Sequence, residues 1–179
     1  MSRSTPEPDA PLTRDQLLVT AGIMTAIAVA ALDATVVGTA MPTIIGQLGG
    51  LSEYSWVFTA YLVASTTTVP IYARLADIYG RKPVFLVGLT LFVIGSVLCG
   101  TATSMPVLIA FRALQGLGAG AVQPIAFTIA GDIFTPRQRA RMQGLFSGVW
   151  GVSAIVGPAL GGVITTTVGW PWVFEINLP

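Results

Sequence analysis

The chain has 179 residues, of which 53% are hydrophobic and 9% charged, with a net charge of +1. Soluble domains carry about 25% charged residues and nucleic-acid binders a clustered basic excess, so neither class fits and no nucleic-acid partner is expected. There is no histidine and the only cysteine is Cys99. This excludes an intrachain disulfide, removes the usual zinc ligand and proton shuttle, and leaves any proton chemistry to carboxylates.

Residues 1–16, MSRSTPEPDAPLTRDQ, are polar and Pro-rich and read as a short disordered cytoplasmic tail. The apolar run that follows is longer than the 7–15 or so residues of a signal-peptide core. It reaches the ~20 that a membrane span needs. Five such runs follow one another, at 17–45, 56–76, 84–101, 105–133 and 142–168. All are predicted to be helices, since a helix satisfies its own backbone in lipid. The alternating ten-residue segments of a membrane β-barrel are not seen. Residues 169–179, ending in FEINLP, read as the lead-in to a sixth span, so the chain is expected to be the N-terminal part of a longer protein.

Lys and Arg alternate across the connections. Arg3 and Arg14 precede span one, and Arg74, Arg81 and Lys82 lie around the second connection. Arg137, Arg139 and Arg141 lie in the fourth, while the first, third and last connections have none. Basic connections stay in the cytoplasm. This predicts a multi-pass protein with its N-terminus inside, and aromatic belts at Trp56, Trp170 and Trp172 on the other side.

Two charges fall within spans. Asp33 lies in ALDATVVGTAMP of span one and Arg112 in FRALQGLGAG of span four. At 1.5 Å per residue they lie roughly 18 Å and 10 Å below the outer surface, a gap that an extended Arg side chain can largely cover. Gln115 shares a helical face with Arg112 and could hold the guanidinium or a water. Two readings stay open: a structural ion pair locking two helices, or a proton site. In the second, burial disfavours a charged carboxylate and a nearby cation favours it, so Asp33 could exchange a proton for a cation.

Spans four and five are glycine-rich. Gly116, Gly118 and Gly120 precede Pro124, and span five carries Gly144, Gly148, Gly151, Gly157, Pro158, Gly161 and Gly162. Small residues let helices approach closely. Static packing explains this, as does a kinked helix pair that seals the outer side of a cavity and rocks open.

DIYGRKPVF, residues 77–85, forms a tight turn between spans two and three. Asp77 sits at a helix C-terminus, where the dipole disfavours an anion, so it needs a cation nearby. Arg81 needs an acid, and Asp132 at the end of span four is available. Asp77, Gly80, Arg81, Lys82 and Asp132 are therefore read as a gating latch.

Several of these stretches resemble one family. ARLADIYGRKP (residues 73–83) is similar to the helix-two/three signature of the major facilitator superfamily, with Ala73 where Gly is usual. RALQGLGAG (112–120) resembles the superfamily's proton-coupling motif of helix four. GLFSGVWGVSAIVGPALGG (144–162) is similar to its antiporter motif of helix five, with Ser153 replacing a glycine. LDATVVGTAMP (32–42) resembles the helix-one motif of the fourteen-helix drug:proton antiporter branch, with Gly38 where Asn is common. The resemblance implies an all-α fold of two six-helix halves, of which this chain holds most of one. It also implies a cytoplasmic-membrane secondary transporter that exchanges protons for lipophilic, often cationic compounds. Asp33, Arg112 and Gln115 would serve proton coupling, and Gly144, Gly157, Pro158, Gly161 and Gly162 the antiporter motif. The expected partners are the bilayer, a small-molecule cargo, protons and the remaining helices, with the proton gradient in place of a cofactor, no metal and no catalytic residues. An uptake symporter, a facilitator, a polytopic receptor or membrane enzyme, and a fragment inactive alone are the alternatives.

Overall fold

The computed structural model describes residues 13–178, which form six helices in chain order. They are α1 (Arg14–Leu48), α2 (Ser55–Tyr79), α3 (Arg81–Gly100), α4 (Met105–Ile133), α5 (Pro136–Thr167) and α6 (Trp172–Glu175). Residues 1–12 of the expected tail lie outside the described residues. Residues 13–16 do not belong to a tail: they start α1. Thr13 and Gln16 form a capping box in which each side chain accepts the other's backbone N–H, and this outweighs their polarity. Gln16 also donates to the Ile133 carbonyl at 3.1 Å, tying the start of α1 to the end of α4.

Local chemistry moves two other boundaries. Thr135 and Gln138 form a second capping box and Pro136 opens the helix, a position that needs no donor. Helix α5 therefore begins well before residue 142, and Arg137, Arg139 and Arg141 sit on its first turns rather than in a loop. Between α2 and α3 the connection shrinks to Gly80, whose φ of 90° is open to glycine and costly for other residues.

Helices α1, α3, α4 and α5 are each long and apolar enough to cross a membrane. With 25 residues, α2 is long enough too, but its run Ser65, Thr66, Thr67, Thr68 makes it less apolar. It lies alongside α4, which is the hub of the fold: α4 packs against α2 and α3 and also touches α1, while α1 packs mainly on α5.

Small residues set these distances. A Cβ on Gly88 or Gly95 of α3, or on Gly116, Gly118 or Gly120 of α4, would come closer than 3.0 Å to a neighbouring helix. Gly116 faces Tyr61 of α2, Gly118 faces the backbone of Gly88 and Phe92, and Gly120 faces Ser65 and Thr68. In lipid, where apolar surface alone does not drive helices together, such close backbone packing supplies the cohesion. The glycines of spans four and five do not form one paired seam. Those of α4 meet α2 and α3, while Gly157 and Gly161 of α5 meet Thr35 and Thr39 of α1. Thr35 adds a hydrogen bond to the Ser153 carbonyl at 3.1 Å. Gly144 and Gly162 have open space beside them, and α5 runs unbroken through the exposed Pro158.

Buried apolar residues form two clusters. One, near the arginine-rich end, includes Ile27, Tyr72, Phe85, Ile125 and Phe146. The other, at the opposite end, includes Val37, Ile44, Val57, Leu108, Trp170 and Phe174. Trp170 is therefore core rather than belt: it is 4% exposed, and its indole donates to Gln47 at 3.0 Å. Trp56 and Trp172 are exposed.

The packing predicts a contrast between glycines. Gly118→Ala drives a methyl into the Phe92 backbone and should lower the stability of the purified protein by about 1–3 kcal/mol. Gly144→Ala should leave it unchanged. Thermal unfolding in detergent measures both, and equal midpoints would contradict the seam.

Candidate functional site

Between the two apolar clusters lies a layer of polar side chains. Asp33 of α1 and Gln115 of α4 are 0% exposed, and Arg112 is 1% exposed. Arg112 Nη1 donates to Asp33 Oδ2 at 2.8 Å and to Gln115 Oε1 at 2.7 Å. Gln115 Nε2 donates to Asp33 Oδ1 at 2.8 Å. The expected pair is thus a direct one, and Gln115 holds both the guanidinium and the carboxylate.

Three members of this layer escaped sequence reasoning. Asn177, just beyond α6, donates through Nδ2 to Asp33 Oδ1 at 2.9 Å and to Ser96 Oγ at 2.7 Å. Ser96 of α3 in turn donates to the Phe174 carbonyl at 2.7 Å. The Arg112 guanidinium lies 4.1 Å from the ring centroid of Tyr61 and 5.8 Å from that of Phe174, within range of cation–π attraction. The available signal for Asn177 was a lone amide within an apolar stretch. Nothing in the sequence marked Ser96 or Tyr61 apart from their neighbours.

Asp33 therefore accepts three hydrogen bonds, one of them from the guanidinium of an ion pair. Such bonds are short and strong, and a network whose members are satisfied is what makes a buried charge tolerable. Arg112 Nε is the one buried side-chain nitrogen or oxygen among the described residues without a hydrogen-bond partner. It lies against the Tyr61 face, so the ring compensates for part of that deficit.

Tyr61 is also a wall of a cavity of about 450 Å³ opening between α1, α2, α4 and α5. Its other walls include Ala34, Ser65, Gln123, Phe127 and Trp150, and no charged residue lines it. The carboxylate network thus sits directly behind one cavity wall, with Asp33 adjacent in sequence to the lining residue Ala34. The volume falls in the range of small-molecule sites, which are mostly apolar with few polar groups.

At the arginine-rich end, the turn residues come together as read from the sequence. Arg81 pairs with Asp77 on one side and, through Nε at 3.2 Å, with Asp132 of α4 on the other. Lys82 is exposed, and Gly80 forms the turn. This triad is half-open to solvent, unlike the sealed layer at Asp33.

The buried pair predicts non-additive stability. Arg112→Met alone strands a carboxylate and should cost about 3–5 kcal/mol. Combining it with Asp33→Leu should recover more than half of that loss. Thermal unfolding of the single and double variants tests this, and strictly additive losses would count against a mutually dependent pair.

The comparisons with known proteins agree with this architecture. Residues 23–179 match the family model described as Major Facilitator Superfamily. The chain is 51% identical to the multidrug transporter protein MdtP of Bacillus subtilis, over 91% of the chain and 30% of that protein. It is 49% identical to multidrug resistance protein 3 of the same organism, over 90% of the chain and 31% of that protein. Efflux pump FUS6 of Gibberella fujikuroi is 40% identical over 97% of the chain and 31% of its own length. The chain therefore spans about a third of the length of these relatives. Among solved structures, a bacterial homologue of the human lysosomal transporter Spinster superposes with a TM-score of 0.76 at 21% identity, covering 92% of this chain and 38% of that one. The human organic anion transporter MFSD10 gives a TM-score of 0.70 at 18% identity, with 89% and 44% covered. With a helical hub around α4, apolar spans and a family match over nearly its whole length, the chain is a multi-pass membrane protein and belongs to the major facilitator superfamily.

Proposed function

We propose that the protein made from this sequence is a proton-driven exporter of lipophilic or cationic drug-like compounds, acting in the plasma membrane with its N-terminus in the cytoplasm. The observation that carries this reading is the position of Asp33, a fully buried carboxylate held by Arg112, whose guanidinium stacks on Tyr61, a lining residue of an uncharged cavity. An uncharged, aromatic-lined cavity suits lipophilic ligands. A buried carboxylate that alternates between a bound proton and a neighbouring cation supplies coupling. Relatives named for multidrug transport and for efflux support export of drug-like compounds. The alternation of basic connections supports the orientation.

The roles divide by depth. Asp33, Arg112 and Gln115 carry proton coupling. Arg81, bridging Asp77 and Asp132, acts as a latch on the cytoplasmic side while the cavity faces out. Gly157 and Gly161 allow α5 to slide against Thr35 and Thr39 of α1. The helices beyond this chain complete the cavity.

Everted membrane vesicles from cells expressing the native gene test the coupling. An acid interior should drive accumulation of a fluorescent cationic dye. Asp33→Asn should reduce driven accumulation to the level of vesicles lacking the protein, with the variant still inserted in the membrane. Driven accumulation at the native rate would sink the reading. The latch has its own test: Asp77→Asn should slow dye transport several-fold with dye affinity unchanged, and native rates would reject it.

A further inference from the structure

Asp33 takes its third hydrogen bond from outside the helices that carry the ion pair. Asn177 lies beyond α6, is 5% exposed, and reaches Asp33 and Ser96 through the same nitrogen. We propose that Asn177 is a positioning residue through which the protonation state of Asp33 is transmitted to the α6 segment. The proposal rests on the proton-coupled reading above.

The hydrogen-bond capacities of the groups decide how a proton on Asp33 is accommodated. An ionised carboxylate only accepts, so every group facing it must donate, and all three do. A protonated carboxyl gains one O–H donor, and one neighbour must then turn an acceptor toward it. Arg112 has no acceptor to offer. Gln115 is oriented by its Oε1, which accepts from Arg112 Nη1 at 2.7 Å and lies 3.7 Å from the Cys99 thiol. Turning its amide would place an NH₂ against the guanidinium. Asn177 is not held by any cation. Rotating its amide by half a turn puts Oδ1 where Nδ2 was.

The rotation reverses a chain of bonds. The proton added to Asp33 is donated to Asn177 Oδ1. Ser96, which now accepts from Asn177, must donate to it instead, and its O–H leaves the Phe174 carbonyl that it holds at 2.7 Å. Phe174 lies in α6, 0% exposed and against Trp170. Protonation of Asp33 therefore removes the polar tie between α3 and α6, and loss of the proton restores it. No covalent bond other than the carboxyl O–H forms or breaks.

The titratable and charged groups around Asp33 are few. Arg112 faces it from α4, and Tyr61 of α2 and Cys99 of α3 lie next to Arg112 and Gln115. The membrane part of α5 contains no titratable residue from Gly144 to Thr167. Glu175 of α6 lies on the flank toward Gly100. None of the latter three provides an acceptor contact to Asp33.

The test compares two modes of transport by the native gene product in proteoliposomes. Counterflow of dye at equal pH requires binding and conformational exchange alone. Accumulation against an acid-inside gradient also requires the proton. Asn177→Leu should keep counterflow at the native level and lower driven accumulation by about tenfold or more, the scale of one hydrogen bond to a charged group. A parallel fall of both modes would mark Asn177 as merely structural and overturn the proposal, as would native values for both. A native protein indifferent to the gradient would overturn the proton-coupled reading and this inference with it. If Asn177→Leu is not recovered from the membrane, Ser96→Ala decides. It keeps Asn177 but breaks the link to Phe174, and it should also lower driven accumulation while sparing counterflow; equal effects on both modes would reject the relay.

Discussion

A carboxylate and a guanidinium sealed between two apolar layers constrain the rest of this bundle. Each charge alone is expensive at membrane depth. Together they become tolerable only if the remaining donors and acceptors are matched and water-like partners are replaced by protein groups. That requirement brings Gln115 to both ions, Asn177 to the carboxylate, and the Tyr61 ring to the guanidinium. Well-packed apolar residues would serve stability equally well, so stability by itself does not account for the pair.

The close helix packing follows from the same constraint. Tyr61 reaches the guanidinium because Gly116, one turn beyond Arg112, lets the α2 backbone approach at that level. Ser96 meets Asn177 because its neighbour Gly95 lets α3 approach the Gln115 backbone. The glycines thus do more than hold helices together. They set the depth at which four different segments can converge on one carboxylate. The cavity benefits as well, because Gly120 keeps α2 and α4 close on one side of it.

What could be read from the sequence divides along physical lines. Apolar length is a local property, so the spans were legible, and so was the cost of a charge within one. Asp33, Arg112 and Gln115 stand out because they break an apolar pattern. Helix starts were less legible: the boxes at Thr13 and Thr135 depend on spacing that composition hides. The pairing of α5 with α1 instead of α4 was not legible, since a glycine seam shows readiness to pack without naming its partner. Asn177 shows the limit most plainly. Its partners are set by the chain folding back after α5, a tertiary event that the lone amide in an apolar stretch does not specify. The long-range bonds of Ser96 are hidden for the same reason.

Helix α2 is less apolar than its neighbours because of its hydroxyls, and some of these have local partners. Three of its hydroxyls are turned inward on its own backbone. Ser65 donates to the Leu62 carbonyl at 3.0 Å and Thr68 to the Ala64 carbonyl at 2.9 Å. Thr59 does the same to Ser55 at 3.0 Å. A hydroxyl satisfied in this way presents its carbon atoms outward and leaves no demand on the surroundings. The gain is a thin helix surface, which a run of Leu or Ile would not provide. With Ser65 and Thr68 opposite Gly120, α2 approaches α4 closely while its hydroxyls remain near the cavity wall. The feature that lowers the hydropathy of α2 is therefore the one that makes it a wall of the cavity.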